Sequence, residues 1–194
     1  MSDTSTTVSE LVQRPKRADA RRNYENVLAA ARAAFAERGT SASLEEIARR
    51  AGVGIGTLYR HFPNRQALLE AVYVDELDRL CNSAAEFEAM EPWEGFAGWV
   101  RGLVSYMATK HALASELFEY LDRDAPLFQS CRTLLFASGE PLLARAQEAG
   151  AVRRDTDIAE VIQIVGGISK IPAVEPEQIE HIIEIALDGL RFRG

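Results

Sequence analysis

Two cysteines, Cys81 and Cys131, stand far apart in a chain of 194 residues, with no Cys-x-x-Cys pair and no histidine at ligand spacing beside either. That scarcity leaves no basis for a disulfide framework, a structural zinc site or a dithiol redox centre, and reduced buried thiols are the expectation. Histidine is equally thin: His61, His111 and His181 stand in unrelated contexts. No glycine-rich phosphate loop, nucleophile elbow or paired catalytic constellation stands out either, which argues against an enzyme and implies neither cofactor nor metal. No apolar run reaches the roughly 18 residues of a membrane span, and no apolar leader core follows Met1, so the expected location is the cytoplasm and no membrane partner is expected. Period-two alternation bounded by turn chemistry is missing too, so the expected fold class is all-α.

What the chain does have is an uneven distribution of charge. Residues 1–65 hold 11 Lys/Arg against 7 Asp/Glu, whereas residues 66–194 hold 11 against 22. A basic head on an acidic body attracts a polyanion at one end and repels it at the other, which orients an encounter with nucleic acid. Mixed surface charge that only keeps a protein in solution is the plainer account of the asymmetry taken alone.

The segment 43–62, Ser-Leu-Glu-Glu-Ile-Ala-Arg-Arg-Ala-Gly-Val-Gly-Ile-Gly-Thr-Leu-Tyr-Arg-His-Phe, decides between them. Ser43 and Glu46 stand in the Ser-x-x-Glu relation of a capping box, so a helix begins at Leu44. Leu44, Ile47, Ala48 and Ala51 recur on one side, and Gly52 supplies the left-handed residue that commonly ends a helix. A second short helix runs from about Ile55 to His61, stable only when Leu58 and Phe62 pack against neighbours. At about 100° per residue its other face carries Gly56 and Arg60, flanked by Thr57 and Tyr59. Glycine inside a helix costs about 1 kcal/mol relative to alanine, so Gly56 on the open face points to a large partner approaching the backbone. Two short helices joined by a glycine turn, the second with an open face, have the layout of a DNA-reading helix-turn-helix.

The run Gly52–Leu69, with the arginine-rich helix that ends Ala34-Phe35-Ala-Glu-Arg-Gly39, resembles the DNA-binding domain of TetR-family transcriptional regulators over about residues 20–70. The resemblance implies an all-α homodimer, with an N-terminal three-helix helix-turn-helix domain and a larger helical C-terminal domain for ligand binding and dimerisation. It implies a repressor released from a palindromic double-stranded DNA operator by a small, mostly apolar effector. A regulator with no small-molecule effector and an activator are the alternatives. The expected division is a flexible basic arm over 1–20, the DNA-binding domain over 21–64, and the effector-binding and dimerisation domain over 65–194.

For DNA, Ile55, Gly56, Thr57 and Arg60 are the candidates to face base edges, by an apolar contact to a thymine methyl, backbone approach, a hydroxyl and a bidentate guanidinium respectively. Ile55 has the alternative of packing inward with Leu58. Tyr59, His61, Arg65, Ser43 with its helix N-terminus and Thr40 are better placed for phosphates, and Gly54 is a further DNA-binding candidate. Arg14, Lys16, Arg17 and Arg21 lie in or just after a Ser/Thr-rich arm with Pro15. That arm either reaches phosphates or the minor groove, or is a solvated tail.

Beyond the head, a stripe of Leu69, Tyr73, Leu77, Leu80, Ala84 and Phe87 predicts a long helix over 65–87, a lever between the domains. Helices are expected over about 22–38, 93–110, 112–122, 126–148, 156–170 and 177–191. The last pair is apolar on more than one face: Ile158, Val161, Ile162, Val165 and Gly166 in one, Ile182, Ile183, Ala186 and Leu190 in the other are the candidate dimer interface. Phe96, Trp99, Leu103, Tyr106, Met107, His111, Phe118, Phe128 and Leu135 are candidates to line an effector pocket, with plain core packing the default reading of each.

Overall fold

A computed structural model of the chain describes residues 11, 14–171 and 176–191. Its elements are α1 (Ala18–Arg38), a single 3-10 turn (Gly39–Ser41), α2 (Leu44–Arg50), α3 (Ile55–His61), α4 (Arg65–Glu88), α5 (Pro92–Tyr120), α6 (Pro126–Glu148), α7 (Ile158–Ile168) and α8 (Pro176–Leu190). Among the described residues the only extended pairing is an isolated bridge between Val152 and Arg191, so the fold class is all-α.

The chain divides into two compact units: the described residues up to Asp78 together with Thr109–Cys131, and Arg79–Ala108 together with the described residues from Arg132 onward. In the first unit α1 packs on α2 and α3, and α2 on α3. Tyr24, Val27, Leu28, Ala31, Ala34 and Phe35 fill its interior with Ile47, Leu58 and Phe62, all 3% exposed or less. Buried apolar area supplies the stability that two seven-residue helices cannot supply themselves.

In the second unit, α5 passes tightly over the end of α4. A Cβ on Gly98 would lie 2.6 Å from Phe87 Cε1, so only hydrogen fits there. Phe96, Trp99 and Leu103 are fully buried. An Asp157–Glu160 capping box opens α7, and Arg101 pairs with Glu184 of α8 at 2.7 Å.

Three expected boundaries move. The helices over 93–110 and 112–122 are one helix, because Lys110-His111-Ala112-Leu113 contains neither proline nor glycine to stop propagation. The first helix begins at Ala18 rather than Arg22, so the arm expected over 1–20 gives way to helix before its end. The helix expected over 156–170 is confined to 158–168 by its capping box and by Ser169. Among the described residues no helix is long and apolar enough to cross a membrane, and no group of acidic, His and Cys side chains is arranged to hold a metal.

Candidate nucleic-acid interface

The site is built from α2, the turn and α3. Ser43 caps α2, its Oγ accepting from the Glu46 amide at 3.1 Å. The return bond expected of a capping box is replaced: the Glu46 carboxylate is taken by Arg38 at 2.8 Å and by Arg50 at 2.8 Å, and Arg50 also reaches Glu37. This exposed network is worth little in stability, but it neutralises acid beside the α2 N-terminus. Gly52, at φ 69°, turns the chain, with its amide on the Arg49 carbonyl and the Val53 amide on the Ala48 carbonyl. A Cβ there would meet the left-handed penalty, which is why glycine occupies the corner.

Gly54 caps α3 through its backbone, its carbonyl accepting from the Thr57 amide at 2.8 Å. Leu58 and Phe62 point inward, 0% and 2% exposed. Ile55, Tyr59, Gly56 and Arg60 are exposed, and Thr57 is half-buried. Ile55, at 38% exposure, therefore does not take its inward alternative. A Cβ on Gly56 would meet nothing within 4 Å, so no neighbour among the described residues requires a glycine at that position.

The C-terminal end of α3 is set by aromatic packing. Tyr24 of α1 stacks on Phe62 with centroids 4.9 Å apart and meets the His61 ring edge-on at 6.0 Å. Burial pushes the Tyr24 hydroxyl up to about 12. Burial, followed by the positive charge of Arg60, pushes His61 below its usual 6.5, so its imidazole is neutral at pH 7. Tyr24 lies within the helix expected over 22–38, and its role in holding α3 emerges from the packing.

Arg65 takes a different position from the phosphate-facing one expected of it. Its Nη1 donates to the Ala42 carbonyl at 2.6 Å, its Nη2 to Glu116 Oε2 at 3.1 Å, and its Nε to Glu116 Oε1. The guanidinium also lies 5.4 Å from the Phe35 ring centroid. The fork is occupied inside the first unit, where it fastens the start of α4 to Ala42 and Glu116.

Asn64 accepts from the Ala67 amide at 2.8 Å and starts α4. Arg17 precedes Ala18 at the N-cap of α1 without a side-chain cap bond, and Arg21 lies 3.8 Å from Glu25 on the exposed face. Thr40 sits in the 3-10 turn, and its side chain lies outside the described residues. Arg14 pairs with Asp75 at 3.3 Å and Asp78 at 2.7 Å on α4, where Arg32 also meets Asp75 at 3.1 Å. No local sequence signal marks pairings across more than forty residues.

The expected pocket residues fall in both units. Phe96, Trp99, Leu103, Tyr106, Met107 and Leu135 are core residues of the second unit, each 4% exposed or less. His111, Phe118 and Phe128 belong to the first unit, with Phe118 39% exposed beside Phe128. The expected interface residues divide by face. Ile158, Val161, Val165, Ile183 and Leu190 are already buried within the chain, Val161, Val165 and Ile183 almost completely, so a second copy has little left to cover on them. Ile162, Gly166, Ile182 and Ala186 are half-buried, while Ile164 and Ile185 are 41% and 58% exposed. Ile164 and Ala186 line an open groove of about 530 Å³ rimmed by Arg153, Asp155 and Glu160.

Comparison with known proteins agrees with this geometry. Residues 27–72 match the family described as bacterial regulatory proteins, tetR family, and residues 91–192 match the C-terminal domain of SbtR-like transcriptional regulators. A TetR transcriptional regulator of Streptomyces coelicolor is 35% identical, with a TM-score of 0.77, and the match covers 88% of this chain and 99% of that one. A TetR transcription regulatory protein of Mycobacterium vanbaalenii is 37% identical, with a TM-score of 0.73 over 91% and 99% of the two chains. An HTH-type transcriptional regulator of Staphylococcus aureus is 37% identical over 71 residues, 35% of this chain and 37% of that protein, so the chain spans little more than a third of that curated relative. With a helix-turn-helix open at α3 and both halves of the chain matched, the protein belongs to the TetR family of DNA-binding transcriptional regulators and is not an enzyme.

Proposed function

We propose that the protein is a homodimeric repressor that reads a palindromic operator with α3 and is released from it by a small, mostly apolar effector. The observation that carries the DNA-reading part is the outward face of α3: Ile55, Gly56, Tyr59 and Arg60 are exposed, with open space above Gly56. On this reading Arg60 recognises a guanine edge, Ile55 contacts a thymine methyl, Gly56 lets a strand approach, and Thr57 supplies a hydroxyl. Ser43 with the α2 N-terminus, Gly54, Tyr59, His61, Arg17, Arg21 and Thr40 meet phosphates.

Dimerisation rests on the outward faces of α7 and α8. A Cβ on Gly166, Gly167 or Gly189 would meet nothing within 4 Å, and Ile164 and Ile185 stand exposed on the same two helices. A second copy laying its α7 and α8 on this face would bury those isoleucines, with the glycines admitting close approach. The interface set is then Ile162, Ile164, Gly166, Ile182, Ile185 and Ala186.

The filled packing around Trp99 favours a second reading, a DNA-binding regulator that takes no small effector. Trp99 is 0% exposed and donates from Nε1 to Ser138 Oγ at 3.3 Å, so the ring is fixed as core of the second unit.

Selection of bound sequences from a random DNA pool by the purified protein tests the principal reading. Recovery of an inverted repeat with half-sites about 10 bp apart or a multiple of that is expected of a dimer. A folded dimer that enriches no sequence would overturn it. Challenging the recovered complex with a library of lipophilic compounds then separates the two readings, since only the first expects release. The operator's position relative to the promoter separates repressor from activator.

A further inference from the structure

We propose that Glu116, on α5 and outside the matched helix-turn-helix segment, is a positioning residue for DNA binding. It holds Arg65 so that the guanidinium fixes the carbonyl of Ala42 and, through it, the start of α2. The inference rests on the chain's binding of DNA and not on any effector.

Glu116 is 7% exposed, the one buried charged residue among those described. A carboxylate at that depth loses several kcal/mol of hydration unless it is paired and hydrogen-bonded. Arg65 supplies both, with Nε and Nη2 on the two carboxylate oxygens, the side-on geometry in which a planar fork is most selective. The third arm of the fork, Nη1, donates to the Ala42 carbonyl at 2.6 Å. Ala42 is itself 1% exposed and directly precedes Ser43, the N-cap of α2. Thus one guanidinium ties three places: α5 at Glu116, the α4 N-terminus at its own backbone, and the entry to α2.

Replacing a buried ion pair by apolar side chains is often neutral for stability, so the pair is better explained by the geometry it specifies. That geometry matters here because α2 and α3 have seven residues each and hold their mutual angle only through what surrounds them. Glu116 keeps the fork oriented, because a guanidinium without its carboxylate has three rotatable carbons and no reason to stay on one carbonyl. Loss of the pair therefore loosens the entry to α2 before it unfolds the unit.

The test compares wild type with Glu116→Gln and Arg65→Lys in the full chain. Affinities are measured for the duplex recovered by selection and for a scrambled duplex of the same composition, together with amide hydrogen exchange over 42–62 in the DNA-free protein. Both variants are expected to lose about tenfold in affinity for the selected duplex, with scrambled-duplex binding little changed. Both should exchange faster over 43–51, with protection over α6 unchanged. Equal losses on both duplexes, or wild-type exchange over 43–51, would overturn the proposal. Arg65→Lys keeps the charge balance at Glu116, so it decides the matter if Glu116→Gln does not fold. A wild-type protein that selects no duplex defeats the operator reading alone, and the exchange comparison still judges Glu116.

Discussion

Helices α3 and α6 each carry a glycine, Gly56 in the first turn of one and Gly139 in the interior of the other, and the two have opposite surroundings. A Cβ on Gly139 of α6 would lie 2.5 Å from Trp99 Cζ2 and 2.9 Å from Ile158 Cδ1, so the fold itself demands a glycine there. A Cβ on Gly56 of α3 would meet nothing within 4 Å. The intrinsic helix penalty is about 1 kcal/mol in the interior at Gly139 and smaller in the first turn at Gly56. At Gly139 close packing of a buried indole offsets it, and at Gly56 nothing among the described residues does. The open space above Gly56 supports the proposed approach of DNA to α3, as the open glycines of α7 and α8 support the proposed approach of a second copy.

The contrast breaks most sharply by exchanging the two outcomes. Gly56→Leu should abolish binding to the selected operator while raising stability by up to about 1 kcal/mol, measured by electrophoretic or anisotropy titration and by urea midpoint. A stable variant that still binds would remove the close-approach argument. Gly139→Val should do the reverse. Overpacking against Trp99 should cost about 1–3 kcal/mol in unfolding free energy, with operator affinity of the folded protein unchanged. If Gly139→Val were neutral, the indole would have room to move and the comparison would lose its filled half.

Arg60 and Arg65 give the same contrast in charged residues. Arg60 is exposed on α3, and Arg65 is spent on Glu116 and Ala42. Arg60→Ala should cost about 1–3 kcal/mol in specific binding and relax preference at one base position, read by repeating the selection with the variant. Unchanged preference would mean that another residue of the open face reads that base.

How much of this was legible in the sequence follows the range of the forces. The bounds of α2 and α3 could be read because Ser43, Gly52 and Phe62-Pro63-Asn64 act on their own neighbours. The division of α3 into a buried Leu58 side and an open Gly56 side follows from helical period alone. The fate of Arg65 could not be read, because its partner stands 51 residues away and any exposed arginine beside a helix-turn-helix suggests a phosphate. The interface was half legible for a related reason. With isoleucine or valine at 158, 161, 162, 164, 165 and 168, periodicity shows that α7 needs cover on two sides. It does not show that Val161 and Val165 face inward while Ile164 faces out, since that depends on what the rest of the chain presents. The single helix over 92–120 was misjudged where no residue marks a break, and continuity is then the physical default.

The smallest effect concerns His61, which lies between the open and filled sides of α3. Burial and then Arg60 depress its proton affinity in the folded protein, whereas the unfolded chain titrates at the usual 6.5. Below that value the unfolded state binds more protons than the folded state, so stability contributed by neutral His61 is present at pH 7.5 and is lost as pH falls toward 5.5. His61→Gln should therefore narrow the difference in urea midpoint between pH 7.5 and 5.5. It should also leave the salt dependence of operator binding at pH 7.5 unchanged, since a neutral ring displaces no counterion. A salt slope that falls by about one in His61→Gln at pH 7.5 would mean that the phosphate it meets draws a proton onto the ring, making the contact a charged one.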